Sequence, residues 1–317
     1  MNILVTGATG FVGNALCSLL AGDGHYVRAL VRADTHKWDN VDVVVAALTD
    51  EAALASALAG IDCVVHLAGR AHQLNDDAAD PLIAFRAVNR DATLLLANCA
   101  KAAGVKRFVF ISSIGVSGSF TTHTAFSERA TPAPHADYAI SKLEAEEGLL
   151  PLRGDNFEVV IIRPPLVYAA HAPGNFARLL KLVSVGAPVP FASLKNQRSM
   201  IALENLVDFI RLCTVHPAAA NELFLISDGV DVSTADIFQY LARGMDKRLL
   251  MFPFPLAAMK LGARLVRKEA LYTQLCGSLV VDCGKAKALL KWAPVISTEK
   301  ALVNAGKLYK QQRTVKL

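Results

Sequence analysis

The chain opens with an apolar run, Asn2–Val5, that breaks into Thr6-Gly7-Ala8-Thr9-Gly10-Phe11-Val12-Gly13 before helical periodicity begins at Val12. Glycines at this spacing leave the segment few conformations. Gly7 permits a tight turn, Gly10 lets the backbone approach a bound group, and Gly13 lets a helix pack closely on a strand. A strand that turns sharply into a helix also aims the helix N-terminus, with its free N–H groups, at whatever lies over the turn. The result is a cradle for a pyrophosphate. Its position between a strand and a helix separates it from a ligand-free glycine turn, the competing reading.

The chain beyond the loop fits the same architecture. Short β-branched runs at His25–Val31, Val41–Ala46, Cys63–Leu67, Phe108–Ile111 and Val159–Ile162 alternate with helical patterns at Val12–Ala21, Ala52–Leu58, Pro81–Gly104 and the stretch beginning at Tyr138. Alternation of this kind predicts an α/β fold, a Rossmann-type doubly wound parallel sheet. Strands apolar almost throughout are those covered by helices on both faces. After Arg163 and Pro164 the alternation weakens, Pro and Gly become frequent, and longer loops are expected; Leu223–Ile226 reads as a strand returning to the sheet. The predicted division is a dinucleotide-binding domain of 1–165 plus roughly 200–227, with a smaller, partly interleaved C-terminal substrate domain of 166–199 and 228–317.

Bulk properties narrow the function. Of 317 residues, 53% are hydrophobic and 19% charged, enough apolar material for a large core and too little charge for disorder. The net charge of +5 carries no Lys/Arg block, which argues against nucleic acid as a partner and leaves an anionic small molecule open. The six cysteines form no C-x-x-C pair and fit a reducing compartment, while the eight histidines show no metal spacing, so no metal site is expected. The N-terminus lacks a basic region and a cleavage site, so it reads as a strand and the expected location is the cytoplasm. Residues 249–266 are the most membrane-like stretch, but two prolines, a lysine and an arginine break them. They read as a substrate-domain or dimer-contact helix rather than an integral span, with a surface-associated amphipathic helix as the alternative.

Tyr138 and Lys142, in YAISKLEAEEGLL, lie four residues apart and hence on one helical face. A phenol titrating near about 10 is nearly inert at neutral pH, and a lysine charge a few Å away is expected to pull it down. Such a pair can pass a proton to or from an oxygen whose carbon gains or loses a hydride. At the end of strand two stands Arg32, with Lys37 nearby and no acid before Asp34. A carboxylate there would accept the 2′-hydroxyl of NAD; a cation suits the 2′-phosphate of NADP, so the reading is NADP or NAD, leaning to NADP. His66, inside an apolar strand, reads as a satisfied core histidine.

TGATGFVG, then VVHLAGRAH (64–72), VNRDAT (88–93), ISS (111–113), YAISK (138–142), RPPLVY (163–168) and RSMIALENLVDFI (198–210) occur in order over nearly the whole chain. Together they resemble the extended short-chain dehydrogenase/reductase family, in particular its NAD-dependent epimerase/dehydratase group acting on nucleotide sugars. The resemblance implies roles at matching positions. Tyr138 would be the general acid or base. Lys142 would hold the nicotinamide ribose, and Ser113, chosen over Ser112 for its distance from Gly118, would hold the reacting oxygen. Gly7, Gly10, Phe11, Val12, Gly13, Arg32, Leu48, Leu67, Ala68, Gly69, Asn89 and Pro164 would line the cofactor. Asn175 and Arg198 would hold a substrate diphosphate, and Phe191 would lie beside the uracil ring, while Arg70 and His72 stand near where a hexose could reach. Two features depart from the family pattern: Ala47 replaces the usual aspartate after strand three, and no acid follows strand two.

The segment 271–294 resembles the branch linked to bacterial polysaccharide enzymes, some of which reduce a UDP-linked 4-keto-6-deoxy-N-acetylhexosamine to UDP-N-acetylquinovosamine or its epimer. The expected function is therefore NAD(P)-dependent reduction at C4 of a UDP-linked 4-keto sugar. The alternatives are a UDP-hexose 4-epimerase with retained NAD and a non-catalytic dinucleotide-binding protein. The family also implies a homodimer through the helices at 81–104 and 138–150.

Overall fold

A computed structural model describes residues 1–33, 38–70 and 80–315. Its strands are β1 (Asn2–Thr6), β2 (Tyr26–Val31), β3 (Val41–Val45), β4 (Cys63–His66), β5 (Arg107–Ile111), β6 (Glu158–Arg163), β7 (Leu166–Tyr168), β8 (Met200–Ala202) and β9 (Leu223–Leu225). Seven of them form one parallel sheet in the order β3-β2-β1-β4-β5-β6-β9, and β7 pairs with β8 in a separate parallel ribbon. The order reverses between β1 and β4. In an open α/β sheet that reversal opens a crevice at the carboxyl ends of the strands.

The helices are α1 (Phe11–Gly22), α2 (Glu51–Leu58), α3 (Pro81–Arg86), α4 (Ala92–Ala102), α5 (Asp137–Leu149), α6 (Gly174–Val185), α7 (Leu203–Val215), α8 (Thr234–Gly244), α9 (Leu256–Leu265), α10 (Glu269–Cys276), α11 (Gly284–Leu290) and α12 (Thr298–Val315). Because strand side chains alternate between faces, the sheet feeds two cores. Ile3, Val5, Val65 and Val109 meet Leu16 of α1 and Phe209 of α7 on one side. Leu4, Val64, Phe108 and Phe110 meet Leu54 of α2, Leu96 of α4 and Leu149 of α5 on the other.

A third core lies beyond the sheet, where β7 and β8 meet α6, α8 and α12 around Phe176, Phe238 and Leu302. Tyr168 at the end of β7 donates to Asp228 Oδ2 at 2.7 Å, and Asp228 Oδ1 accepts from the Ala202 amide at 2.9 Å. One buried carboxylate thus ties the ribbon to the segment leaving β9.

Two expectations are corrected. The helix predicted over Pro81–Gly104 is α3 and α4 joined by a single π-helical turn, Ala87–Asp91. The loop-rich character expected after Arg163 holds only between elements, since among the described residues seven helices, α6 to α12, lie beyond it. Proline and glycine mark their ends: Gly186, at φ 73°, closes α6 in the left-handed conformation. Ser233 and Asp236 form a reciprocal capping box that starts α8.

Candidate active site

The glycine loop closes as its spacing requires. Gly7 adopts φ +66°, and a Cβ there would lie 2.7 Å from the Ala68 nitrogen, so loop and β4 exit touch backbone to backbone. The Gly10 amide donates to Gly7 O at 2.9 Å, and a Cβ on Gly13 would stand only 2.2 Å from that oxygen. Gly10 is the N-cap of α1 and no side chain caps the helix. Uncapped amides over an exposed glycine turn form a donor set suited to a pyrophosphate.

Tyr138 lies in the first turn of α5, half-buried, its ring edge-on to Phe85 with centroids 6.2 Å apart. Phe85 in turn carries the Arg70 guanidinium over its face at 5.7 Å. One turn on, Lys142 is buried; its Nζ donates to Ile111 O at 3.0 Å and sits 4.5 Å from the Phe110 ring centre. That ammonium would be 3.4 Å from a Cβ on Gly69, next to the Ala68 that packs on Gly7. Lys142, one turn on from Tyr138, and the glycine loop therefore meet at the switch point.

The protonation states correct one expectation. Burial pushes the Tyr138 phenol up to about 12, rather than the lysine drawing it down. Burial lowers Lys142 to about 8, with the Glu146 charge working the other way. The physical reason is where the ammonium points: it is engaged by a carbonyl and a ring at the end of β5.

Asn89 lies inside the π-helical turn, fully buried. Its Oδ1 accepts from the Arg70 amide at 2.7 Å, and its Nδ2 donates to Arg70 O and Ser141 Oγ at 3.1 and 3.0 Å. The extra residue of a π-bulge turns a side chain that an α-helix would direct elsewhere, and such bulges recur at functional sites.

His66 is the satisfied core histidine the sequence suggested, and its bonds form a directed chain. Thr93 Oγ1 donates to Asn89 O at 2.8 Å, so it accepts from His66 Nε2 at 2.9 Å. The bare Nδ1 then accepts from Thr6 Oγ1 at 2.6 Å, and Thr6 Oγ1 accepts from the Ala68 amide at 3.2 Å. Neutral His66 thus links the glycine loop to the Asn89 bulge. Burial, reinforced by the Lys142 charge, lowers its pKa to about 3.

Below Lys142 is a buried ion pair that sequence reasoning missed. Arg163 grips Glu146 in a fork, with Nη2 to Oε2 at 2.6 Å and Nε to Oε1 at 3.0 Å, and Arg163 Nη1 reaches Ser117 Oγ at 3.2 Å. Ser112 donates to the same carboxylate. Its hydroxyl is committed there, whereas Ser113 is half-buried and accepts from the Gly115 amide at 3.1 Å. The available signal was Glu146 standing four residues after Lys142. Pro164 is buried, and its carbonyl accepts from the Ile114 amide at 3.0 Å, fixing the turn that presents Ser113.

The remaining expected positions are more dispersed. Arg32 is exposed at the end of β2; Asp34, Lys37 and His72 lie outside the described residues. After β3, Ala47 is exposed and Leu48 packs partly against the second core. Leu67 and Ala68 are half-buried at the β4 exit with Gly69 exposed, and Val12 and Phe11 are half-buried at the start of α1. Phe11 also meets His171 edge-on at 5.1 Å, a contact not anticipated. Asn175 sits in the first turn of α6, within 3.4 Å of Arg178. Arg198 is half-buried, its Nη1 3.4 Å from Gly277 O, and burial lowers its pKa; among the described residues no carboxylate pairs with it. Phe191 corrects an expectation: it is buried against Phe238, centroids 5.2 Å apart, so its ring belongs to the third core rather than to an open base-binding face.

The model of the NAD dependent epimerase/dehydratase family matches residues 3–227, which covers the loop, the tyrosine–lysine pair and all of the seven-stranded sheet but its first residue. The chain belongs to that family. It lies among the extended short-chain dehydrogenases/reductases, and the fold matches theirs. A UDP-glucose 4-epimerase from Vibrio cholerae is 43% identical over 297 residues, 92% of this chain and 90% of that protein. A short-chain dehydrogenase/reductase superfamily protein from Agrobacterium tumefaciens, solved with bound NAD, superposes with TM-score 0.77 at 22% identity, over 100% of this chain and 99% of the other. UDP-glucose 4-epimerase from Thermotoga maritima, solved with UDP-glucose, superposes with TM-score 0.78 at 22% identity, over 99% of this chain and 100% of that one. At such identity these two structures speak to fold alone.

Proposed function

We propose that this protein works at C4 of a UDP-linked hexose, in the first reading reducing a 4-keto-6-deoxy-N-acetylhexosamine. The observation that carries the reading is the crevice itself, where Lys142 and Asn89 come within reach of Gly69 while Gly69 adjoins the glycine loop. A bound nicotinamide dinucleotide supplies the hydride. The chain's own residues do the rest. The amides of α1 receive the pyrophosphate, Lys142 holds the ribose, and Asn89 steadies the Arg70 backbone and α5 beside it. Ser113 holds the C4 oxygen, and Tyr138 gives its proton to that oxygen as negative charge develops there. Arg198 and Asn175 hold the substrate diphosphate. In this reading residues 166–199 and 228–317 form the substrate-side unit, set against 1–165 and roughly 200–227.

One feature favours the reductive direction. The exposed Arg32 ends β2 without a carboxylate among the described residues, which suits an exchangeable NADP. The second reading, a 4-epimerase with retained NAD, is favoured by the Vibrio cholerae relative. Purified enzyme with a UDP-4-keto-6-deoxy-N-acetylhexosamine and NADPH separates them. Stoichiometric loss of absorbance at 340 nm supports the reductase. Co-purified NAD with interconversion of UDP-hexoses and no net redox change supports the epimerase. Inertness in both assays, with intact dinucleotide binding, would leave the non-catalytic alternative.

A further inference from the structure

No residue of α9 or α10 is buried, which among the described α-helices is otherwise true only of the short α3. Met259 and Ala263 are the half-buried positions of α9, and Met259 packs on the third core. The opposite face carries Leu261 and Leu265, exposed to 60% and 77%, and Val266, the C-cap residue, is exposed to 63%. Phe252 and Phe254, on the strand-like lead-in, are exposed as well. Large apolar side chains gathered on one outward face mark an interaction surface, whereas single exposed ones need no explanation.

The charge around this face identifies the partner. From 247 to 268 the chain has six cations, Lys247, Arg248, Lys260, Arg264, Arg267 and Lys268, and no acid. Lys260 and Arg264 flank the leucines along the helix, where long stems can lie over an apolar boundary while their charges stay in water. Arg264 has one acidic neighbour, Glu269 at 3.8 Å, and both are largely exposed, so its charge is effectively uncompensated. A second copy is a poor occupant, because a two-fold contact would set these cations against each other. A spanning role is excluded for the described residues, none of whose helices is long and apolar enough to cross a membrane.

We propose that the α9–α10 face docks in the plane of an anionic lipid bilayer, leucines in the headgroup–acyl boundary and cations against the headgroups. The face is joined firmly to the protein at its far end. Asn196 Nδ2 donates to Leu275 O and Gly277 O at 3.2 and 2.9 Å, and Thr234 Oγ1 donates to Leu275 O at 2.6 Å. A docked face therefore holds the whole chain at the surface. This inference concerns binding and stands independently of the reaction proposed above.

The test is flotation of the full-length protein with vesicles of phosphatidylglycerol and phosphatidylethanolamine, compared with phosphatidylcholine vesicles. Binding is expected only to the anionic vesicles, weakening as salt is raised. The L261E/L265E variant is expected to lose at least roughly tenfold in affinity, since each change removes an apolar group that docking would bury and adds like charge to an anionic surface. Arg267→Gln is expected to cost about fivefold. Both lie at exposed positions, and unchanged thermal melting separates lost docking from lost folding; Lys260→Gln, more conservative still, is the fallback if the double variant melts early. Failure to float with anionic vesicles at low salt overturns the proposal, as does equal flotation of wild type and L261E/L265E. So does vesicle-free self-association that the double variant abolishes, which would make a second copy the occupant.

Discussion

The crevice above the sheet and the α9–α10 face solve opposite problems. At the crevice nearly every polar group is committed: His66 bridges two threonines, Asn89 makes three hydrogen bonds, and Glu146 is shared by Arg163 and Ser112. The α9–α10 face is held by little more than Met259, Leu275 and the C-terminal end of α10. A satisfied buried network costs dearly to disturb, because each group lost leaves another without a partner. An open helical face costs little to disturb and is free to meet something else. Rigid chemistry and adaptable surface are thus separated within one chain.

The strongest way to break that contrast is at Glu146. Glu146→Ala leaves the Arg163 charge buried without its carboxylate, and a loss of about 3–5 kcal/mol in unfolding free energy is expected by denaturant titration. A loss within the range of an ordinary surface substitution would mean that the network is not what stiffens the crevice. A smaller effect is expected at Gly13→Ala. Its methyl would press on Gly7 O, costing about 1–3 kcal/mol as the loop shifts. Dinucleotide affinity by calorimetry should fall with it.

The third test sharpens the comparison through pH. His66 stays neutral in the folded chain until about pH 3, whereas the unfolded chain takes up its proton near about 6.5. Its contribution is complete above that pH and erodes as pH falls toward 3, by at most about 1.4 kcal/mol per pH unit. His66→Gln should flatten this part of the stability profile. Substitutions at Leu261 or Leu265 should leave its slope unchanged.

The range of each interaction decides how much could be read in advance. The strands and the glycine loop were legible because apolar runs and glycine spacing are local, and boundaries fell within a residue or two. β7 and β8 were not, being three residues each, with Pro164–Pro165 breaking the chain just before β7. The π-turn was hidden because one extra residue barely alters the apolar rhythm of 81–104, although the polar Asn89-Arg90-Asp91 interrupting that rhythm was a trace of it. Tyr138 and Lys142 were visible as a pair, but the direction in which the phenol shifts depends on burial, which no spacing encodes. The Arg163–Glu146 clasp joins β6 to α5 and needed the fold to bring it together.

The central claim is that the Tyr138 hydroxyl carries the proton at the reacting oxygen. Steady-state turnover of Tyr138→Phe, measured beside its dinucleotide affinity, tests it most directly. The account predicts cofactor binding within a few-fold of wild type and turnover lower by at least about 100-fold. Turnover close to wild type, with the ring intact and its hydroxyl gone, would contradict it.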